Sequence, residues 1–422
     1  MNTVGIITEY NPFHYGHLYH INKSKEISNS DVVICIMNGN FVQRGEAAML
    51  DKWTRTKMAL ANNVDLVIEL PLLYGIRSAE YFAKGAISLL HYSGIVDNIV
   101  FGSEVGNITP LQETANLLLK KDPFFQINLH KYLGQGEPFP AARALAIENY
   151  LKTNSQKIKS DKKEILDIIG EPNNILGIEY IKAIKKLQTD ITPFTIQRIG
   201  SNYHDKTLSN KIASATAIRN QFYNNNINKI KKYLPEECQN IINEEYQNDK
   251  IPINLDNFGM MLFSTLRKLN KTRMGRYAEL ENGLDNRVLN EVHKSGDIND
   301  LIKNIKTKAY TQTRIQRNLL HIFFDITEDD FKLIDIFGPQ YIRVLGVRKE
   351  KIEILSAINK NSSLEVIINP SEYLNEIDTE SKNPLIKSLS YDILATDIYS
   401  LLYKDPTFRQ GHRDFTTPLI KY

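Results

Sequence analysis

The sequence of 422 residues is poor in cysteine, with only two, Cys35 and Cys238. Two cysteines cannot supply a disulfide framework or a four-cysteine zinc site. Cys35 lies inside an apolar run and is most simply interpreted as a small buried hydrophobe. The cysteine usage therefore favours a reduced, cytoplasmic protein.

Long hydrophobic runs are also missing. The longest apolar stretches, such as residues 32–37, fall far below the roughly 18 residues that a membrane span needs. The first apolar stretch, residues 4–7, is followed at once by Glu9 and Asn11, so no secretory signal is expected. Glycine and proline are modest in number, at 21 and 15, which excludes collagen-like and low-complexity architecture.

What is present is typical of a globular protein, with 42% hydrophobic and 24% charged residues. The length predicts two or three domains of about 150 residues each. The net charge is only +3, but residues 261–317 hold twelve basic and six acidic side chains. Such a local excess indicates either a surface for a polyanion such as nucleic acid or simply a solvated helical face.

The first 110 residues alternate short apolar runs with helical patterns. Strands are expected at residues 3–8, 32–37, 66–70 and 98–101, and helices at 14–28, 53–62 and 78–92. This alternation predicts βαβ units and a parallel sheet with both faces buried. Ligands then bind at the carboxyl ends of the strands.

The remainder of the chain is more helical. Residues 109–184 are mostly helical, and a strand at 194–199 precedes a helix at 214–223. Long helical patterns dominate the second half, in which residues 341–346 and 364–368 could form short strands. The predicted fold is an α/β, Rossmann-like parallel-sheet domain over residues 1–230, followed by a mainly α-helical domain over residues 231–422.

The most informative segment, residues 5–17, reads GIITEYNPFHYGH. A strand runs into a tight loop, and a helix begins near His14, so free backbone N–H groups and the helix dipole favour a phosphate. Gly16 removes a side chain where backbone or nucleotide must approach closely. In a helix, His14 and His17 would diverge by about 60° and could together stabilise charge on an α-phosphate during in-line attack. The alternative is a pair of polar surface histidines.

This segment resembles the H-x-G-H element of the HIGH-motif nucleotidyltransferase superfamily, whose fold would be a Rossmann-like (HUP-type) domain. A second element of that superfamily, I-S-S-T-x-I-R, is similar to residues 213–219, ASATAIR, although it departs at 213 and 215. Only Ser214, Thr216 and Arg219 therefore carry over. Arg219 would neutralise the departing pyrophosphate, and the two hydroxyls would hold its oxygens. Ser214 is equally interpreted as a helix N-cap.

More of the chain resembles a narrower family, the bacterial tRNA(Met) cytidine acetate ligases. The matching segments are residues 5–17, 38–46, 101–104, 172–180, 197–200 and 411–416. The resemblance implies ATP-dependent activation of acetate as acetyl-adenylate, then transfer of acetyl to N4 of the wobble cytidine, position 34, of elongator tRNA(Met). It implies catalysis by His14, His17 and Arg219.

Together the two resemblances imply a set of ATP-binding residues around the loop and the second element. These residues are Ile7, Thr8, Glu9, Tyr10, Asn11, Pro12, Phe13, His14, Tyr15, Gly16, His17, Leu18, Tyr19, His20, Gly102, Asn173, Arg198, Ile199, Ser214, Thr216 and Arg219. A Cβ at Gly102 would meet an adenosine laid across the sheet, Asn173 can bind base or ribose, and Arg198 can reach a phosphate or stack on adenine. Asn40, Gln43, Arg44 and Glu46 could line the acetate side.

The tRNA is expected to bind the second half. Lys306, Lys308, Arg314 and Arg317 would meet phosphates, while Tyr310 could stack on an unpaired base. A second basic cluster comprises Arg267, Lys268, Lys271, Arg273 and Arg276. Mg²⁺ is expected to accompany ATP, although no carboxylate cluster indicates a dedicated metal site. The main rival function is a small-molecule adenylyltransferase that does not act on RNA, and a third is a nucleotide-sensing RNA-binding protein without turnover.

Overall fold

A computed structural model describes residues 1–120, 122–153, 160–198, 212–224, 227–280 and 283–422. Ten strands lie in these ranges: β1 Thr3–Thr8, β2 Val32–Asn38, β3 Phe41–Val42, β4 Glu46–Ala47, β5 Leu66–Leu70, β6 Asn98–Ser103, β7 Thr192–Gln197, β8 Tyr341–Val347, β9 Glu365–Ile367 and β10 Ile420–Lys421. Eight of them form one sheet in the order β10-β8-β5-β2-β1-β6-β7, with β9 also paired to β8. The strands β3 and β4 form a separate antiparallel hairpin.

Helices connect and cover the strands. They are α1 Tyr15–Ser28, α2 Lys52–Ala61, α3 Leu72–Gly75, α4 Ala79–Tyr92, α5 Ile108–Leu119, α6 Pro123–Gly134, α7 Phe139–Thr153, α8 Lys162–Ile168, α9 Pro172–Leu187, α10 Ala215–Tyr223, α11 Ile227–Ile230, α12 Glu236–Gln247, α13 Leu255–Leu266, α14 Lys271–Met274, α15 Leu284–Glu291, α16 Ile298–Ile305, α17 Gln312–Phe323, α18 Glu328–Phe337, α19 Glu353–Asn361, α20 Pro384–Ser400 and α21 Arg413–Thr416. The predicted α/β fold with a helix-rich second half is confirmed.

The central strands β1, β2, β5, β6 and β8 are mostly buried, and the apolar residues among them face both sides of the sheet. In β2, Val32, Ile34 and Ile36 join one buried cluster, while Val33 and the alternate residues that follow it join another. Helices of βαβ units cover both faces of a parallel sheet, so continuous apolar runs are expected there. Cys35 is buried in this strand, as predicted.

The second half of the chain also contributes to the sheet. β8 pairs antiparallel with β5, and β9 and β10 each pair parallel with β8. The short strands expected near 341–346 and 364–368 are therefore confirmed, but they extend the sheet of the first half rather than lie apart from it. The boundary between residues 230 and 231 stays a prediction. β10 and the β3–β4 hairpin were not predicted.

None of the helices in the described ranges is both long and apolar enough to cross a membrane.

Candidate active site

The loop between β1 and α1 is the centre of the candidate site, at the carboxyl end of a central strand. His14 is the N-cap of α1, and its Nδ1 accepts a hydrogen bond from the backbone N–H of Gly16 at 3.0 Å. His17 lies in the first turn, and its Nδ1 accepts from the backbone N–H of His14 at 3.3 Å. The two histidines therefore cap the start of the same helix reciprocally.

These contacts fix the chemistry of both imidazoles. Because each Nδ1 is an acceptor, the hydrogen of each neutral ring is on Nε2. Burial, followed by the charge of Arg198, lowers the pKa of His14 to about 3. Burial, followed by the neighbouring His14 and Arg198, lowers the pKa of His17 well below its ordinary value. The pair thus supplies two neutral Nε2–H donors beside the positive end of a helix dipole.

The two rings stack, with centroids 3.8 Å apart and planes 25° from parallel. The expectation that they diverge by about 60° is wrong, because His14 is the extended residue before the helix and not part of its first turn. Gly16 allows this arrangement, since a Cβ there would lie 2.8 Å from Cε1 of His14. The neighbour at Gly16 is thus the His14 ring, whereas the close approach of backbone or nucleotide to Gly16 stays a prediction.

The other residues of the predicted ATP-binding loop, residues 7–20, pack as a wall beside the two histidines. Tyr10 and Phe13 are buried, and the Tyr10 ring lies 4.8 Å from Phe13 and 4.9 Å from His17 between centroids. Asn11 Oδ1 accepts from the backbone N–H of Met49 at 2.8 Å, and the Asn11–Pro12 peptide is cis. The remaining residues of this segment are partly buried: Ile7, Thr8, Glu9, Tyr15, Leu18, Tyr19 and His20.

Arg55 of α2 holds this wall in place and was not predicted. Its guanidinium is fully buried and donates to four backbone carbonyls. Nη1 donates to Glu9 O at 2.7 Å and to Asn38 O at 3.1 Å, and Nε donates to Leu50 O at 3.0 Å. Nη2 donates to Gly39 O. One side chain therefore ties together the loops that follow β1 and β2.

A second group of predicted residues meets at the ends of β6 and β7. Nη1 of Arg198 donates to Oδ1 of Asn173 at 3.2 Å. The Arg198 stem crosses Gly102, where a Cβ would lie 3.1 Å from Cγ of Arg198. Glu104, which was not predicted, accepts from the Asn173 side chain and from the backbone N–H of Asn174 at 2.8 Å. Gly102, Asn173 and Arg198 are thus brought together, while Ile199 lies outside the described residues.

The second superfamily element faces the first. Arg219 is 7% exposed, and its Nη1 donates to Asn11 O at 2.7 Å. Its Nη2 donates to Glu46 at 3.2 Å and to the Thr216 hydroxyl at 3.4 Å. Ser214 is the N-cap of α10 and accepts from the backbone N–H of Ala217 at 3.1 Å. Arg219 therefore joins the loop that follows β1 to the β3–β4 hairpin.

The residues that follow β2 are held by different partners. Asn40 is buried, where its Oδ1 accepts from the backbone N–H of Lys52 and its Nδ2 donates to Thr396. The backbone N–H of Gln43 donates to Glu9, and Glu46 is paired with Arg219. Arg44 is exposed at the hairpin tip. The role predicted for Asn40 is wrong because both ends of its amide are occupied by structural contacts.

The basic segment packs against the same hairpin. Nη1 of Arg317 in α17 donates to Gln43 O at 3.4 Å. Tyr310 is only 7% exposed and lies beneath the guanidinium of Arg314, 5.5 Å from it. The expectation that Tyr310 stacks on a base is wrong, because its ring is packed into the core. Two predicted phosphate contacts, Lys306 and Lys308, are exposed.

No group of three or more His, Cys, Asp or Glu side chains in the described part of the chain is arranged to hold a metal ion.

The fold and the histidine-capped loop define a HIGH nucleotidyl transferase, and the family model with that description matches residues 1–414. The chain is 49% identical over 421 residues to the tRNA(Met) cytidine acetate ligase of Halothermothrix orenii, with 100% of each chain covered. It is 38% identical over 426 residues to the protein of the same name from Acetivibrio thermocellus, again with 100% of each covered.

A solved structure is similar over the whole length. The crystal structure of Thermotoga maritima TmcAL bound with alpha-thio ATP matches with a TM-score of 0.92 and 33% identity, covering 100% of each chain. Full-length matches at this identity show the family. The chain therefore belongs to the tRNA(Met) cytidine acetate ligases.

Proposed function

We propose that this chain is an ATP-dependent ligase that activates acetate as acetyl-adenylate and acetylates N4 of the wobble cytidine, position 34, of elongator tRNA(Met). The product is N4-acetylcytidine. The observation that carries the chemistry is the pair of neutral Nε2–H donors, His14 and His17, at the start of α1. The names of the full-length relatives support the choice of tRNA and acid.

In the first step, an acetate oxygen attacks the α-phosphorus of ATP and pyrophosphate leaves. The charge that develops on the α-phosphate oxygens is stabilised by the Nε2–H groups of His14 and His17 and by the free N–H groups of α1. Arg219, Ser214 and Thr216 are proposed to face the pyrophosphate. Mg²⁺ would accompany the triphosphate as its counterion and neutralise part of its charge.

The adenosine is proposed to lie across the ends of β6 and β7. Gly102 leaves room at the strand end, Asn173 offers an amide, and Arg198 offers a cation above the sheet. This arrangement follows the general rule that nucleotides bind outside the carboxyl ends of parallel strands.

The acceptor RNA is proposed to reach the site from the side of α17. Arg317 touches the hairpin that contacts Glu9, and Lys306 and Lys308 are exposed on the approach to α17. Cations at these positions would bind phosphates. Because tRNA and ATP are the proposed substrates, the cytoplasm is the proposed compartment.

Acetate-dependent exchange of labelled pyrophosphate into ATP tests the first step. We expect exchange only when acetate is added, and we expect it without tRNA. Pyrophosphate exchange that does not depend on acetate but requires a nucleotide-like acceptor would instead indicate a small-molecule adenylyltransferase. No exchange with any acid would indicate a binding protein without turnover.

A further inference from the structure

The proposed second step releases a proton that the two histidines cannot take. When N4 of cytosine attacks the acetyl carbon, the amine nitrogen must lose one hydrogen to become an amide. Nδ1 of His14 accepts from Gly16, and Nδ1 of His17 accepts from His14, so each ring already carries its hydrogen on Nε2. Both imidazoles are donors, and the base must be another group.

Among the described residues, the nearby carboxylates of Glu46 and Glu104 are already engaged. Glu46 is held by Nη2 of Arg219 at 3.2 Å. Glu104 accepts from the start of α9, with Oε2 bonded to the backbone N–H of Asn174 at 2.8 Å and Oε1 bonded to the backbone N–H of Asn173 at 3.3 Å. Both carboxylates serve as structural acceptors.

Glu9 is differently placed. It follows β1 directly, in the loop that leads to the histidine pair. Its Oε1 accepts one hydrogen bond, from the backbone N–H of Gln43 at 3.0 Å. Its backbone carbonyl accepts a hydrogen bond from Nη1 of Arg55 at 2.7 Å. The buried Arg55 therefore fixes the position of Glu9 in the site. The hairpin that contacts this carboxylate is the one that Arg317 of the basic segment touches.

We propose that Glu9 is the general base of acetyl transfer, and this assignment rests on the proposed function. N4 of the cytidine attacks the carbonyl carbon of acetyl-adenylate, and a C–N bond forms. The C–O bond to the α-phosphate oxygen breaks, and AMP leaves with that electron pair. One N4 hydrogen passes as a proton to the Glu9 carboxylate and from there to water.

The charges around Glu9 suit a base. Burial raises the pKa of its carboxyl above the ordinary value, Glu46 acts in the same direction, and Arg44 and Arg219 oppose it. Tyr180 of α9 and Arg55 of α2 also interact with the Glu9 charge. A carboxylate with a raised pKa is a stronger base once ionised.

The test separates the two half-reactions in the full-length protein. Glu9→Gln should reduce single-turnover acetyl transfer to tRNA by on the order of 10²–10⁴, the usual contribution of a general base. Acetate-dependent pyrophosphate exchange should fall far less. In this variant, the decrease of the acetyl-transfer rate at acidic pH should disappear. Glu9→Asp, which keeps a carboxylate, should retain that decrease and transfer acetyl at an intermediate rate.

Glu26→Gln is the matched control, because it removes an exposed carboxylate of α1 that pairs only with Lys23 among the described residues. Normal transfer with an unchanged pH profile in Glu9→Gln would overturn the assignment. Equal loss of pyrophosphate exchange and acetyl transfer would also overturn it, because Glu9 would then act in the activation of acetate by ATP. Absence of exchange in the wild-type protein would overturn the proposed function itself.

Discussion

At the scale of single residues, the site depends on two imidazoles whose Nδ1 atoms are both used inside the protein. This arrangement leaves His14 and His17 with fixed Nε2–H donors whose protonation does not change near neutral pH. A donor of this kind stabilises a transition state without reorganising during the reaction. Its effect should therefore appear in the rate of activation and less in the binding of ATP.

His17→Ala is expected to reduce the rate of acetate activation by on the order of 10²–10³ with little change in ATP affinity. His17→Gln should retain more activity than His17→Asn, because the Gln amide nitrogen reaches the Nε2 position while the Asn amide reaches Nδ1. Pyrophosphate exchange and ATP binding measured on each variant provide the check. Near-normal exchange in a double His14→Ala, His17→Ala protein would contradict the role given to the pair.

The residues that sequence alone could predict are those whose chemistry is local. The spacing of His14, Gly16 and His17 after a strand is enough to indicate a helix start that binds phosphate. Arg55 and Glu104 could not be found in this way, because their partners are carbonyls and N–H groups from segments distant in sequence. The burial of Tyr310 likewise depends on the packing of the second half.

At the scale of elements, the β3–β4 hairpin connects the loop that follows β1 to α17. Its Gly45 has φ +80°, and a Cβ there would lie 2.4 Å from the backbone nitrogen of Arg317. Nothing in the sequence marks this contact, because a glycine in a polar loop has many explanations. The basic segment contacts the candidate site through this hairpin.

Gly45→Ala should lower the free energy of unfolding more than Gly283→Ala. Both positions have positive φ, but a Cβ at Gly283, where φ is +86°, would meet no atom of the described residues within 4 Å. The left-handed conformation alone costs about 1–2 kcal/mol for a residue with a Cβ. Denaturant unfolding of both variants isolates the steric contribution at Gly45. Equal losses would mean that the hairpin can move away from α17 freely.

The exposed lysines before α17 should bind tRNA through phosphates. Replacing Lys306 and Lys308 by Gln should weaken tRNA binding and reduce the slope of log K against log salt by roughly 1.4–1.8, at about 0.7–0.9 per phosphate contact. ATP binding should not change. Titrations at several salt concentrations provide the measurement. An unaltered slope would show that these two lysines face only solvent.

At the scale of the whole molecule, the segment around Asp414 is held against the first half of the chain. Lys52 at the start of α2 is fully buried and lies 2.8 Å from both Glu69 and Asp414. Burial opposes its charge, but Asp414 and Glu69 together raise the pKa of Lys52. Arg343 of β8 also reaches Asp414 at 3.5 Å. The two halves of the sequence thus share one buried ionic network.

The parallel core of the fold was predictable because each of β1, β2, β5 and β6 contains a short apolar run and the runs are separated by helical patterns. The antiparallel addition of β8 was not, since Leu66–Leu70 and Tyr341–Val347 lie far apart in the sequence. The segment 411–416 resembles a motif of the family, but the ion pair between its Asp414 and Lys52 depends on the three-dimensional fold.

Asp414→Asn should lower the free energy of unfolding by about 3 kcal/mol or more, the usual cost of breaking a buried ion pair. Asp249→Asn, which removes an exposed partner of Lys404, is the control and should have little effect. Denaturant unfolding followed by circular dichroism gives both values. Equal stability of the Asp414 variant and the wild-type protein would contradict the view that the chain end supports the sheet.

The most direct test of the central claim is mass spectrometry of nucleosides from unmodified elongator tRNA(Met) incubated with the protein, ATP and isotopically labelled acetate. We expect labelled N4-acetylcytidine at the wobble position, dependent on ATP and nearly absent with the double His14→Ala, His17→Ala protein. Labelled acetylcytidine that forms without ATP, or none with the wild-type protein despite bound ATP and tRNA, would contradict the account.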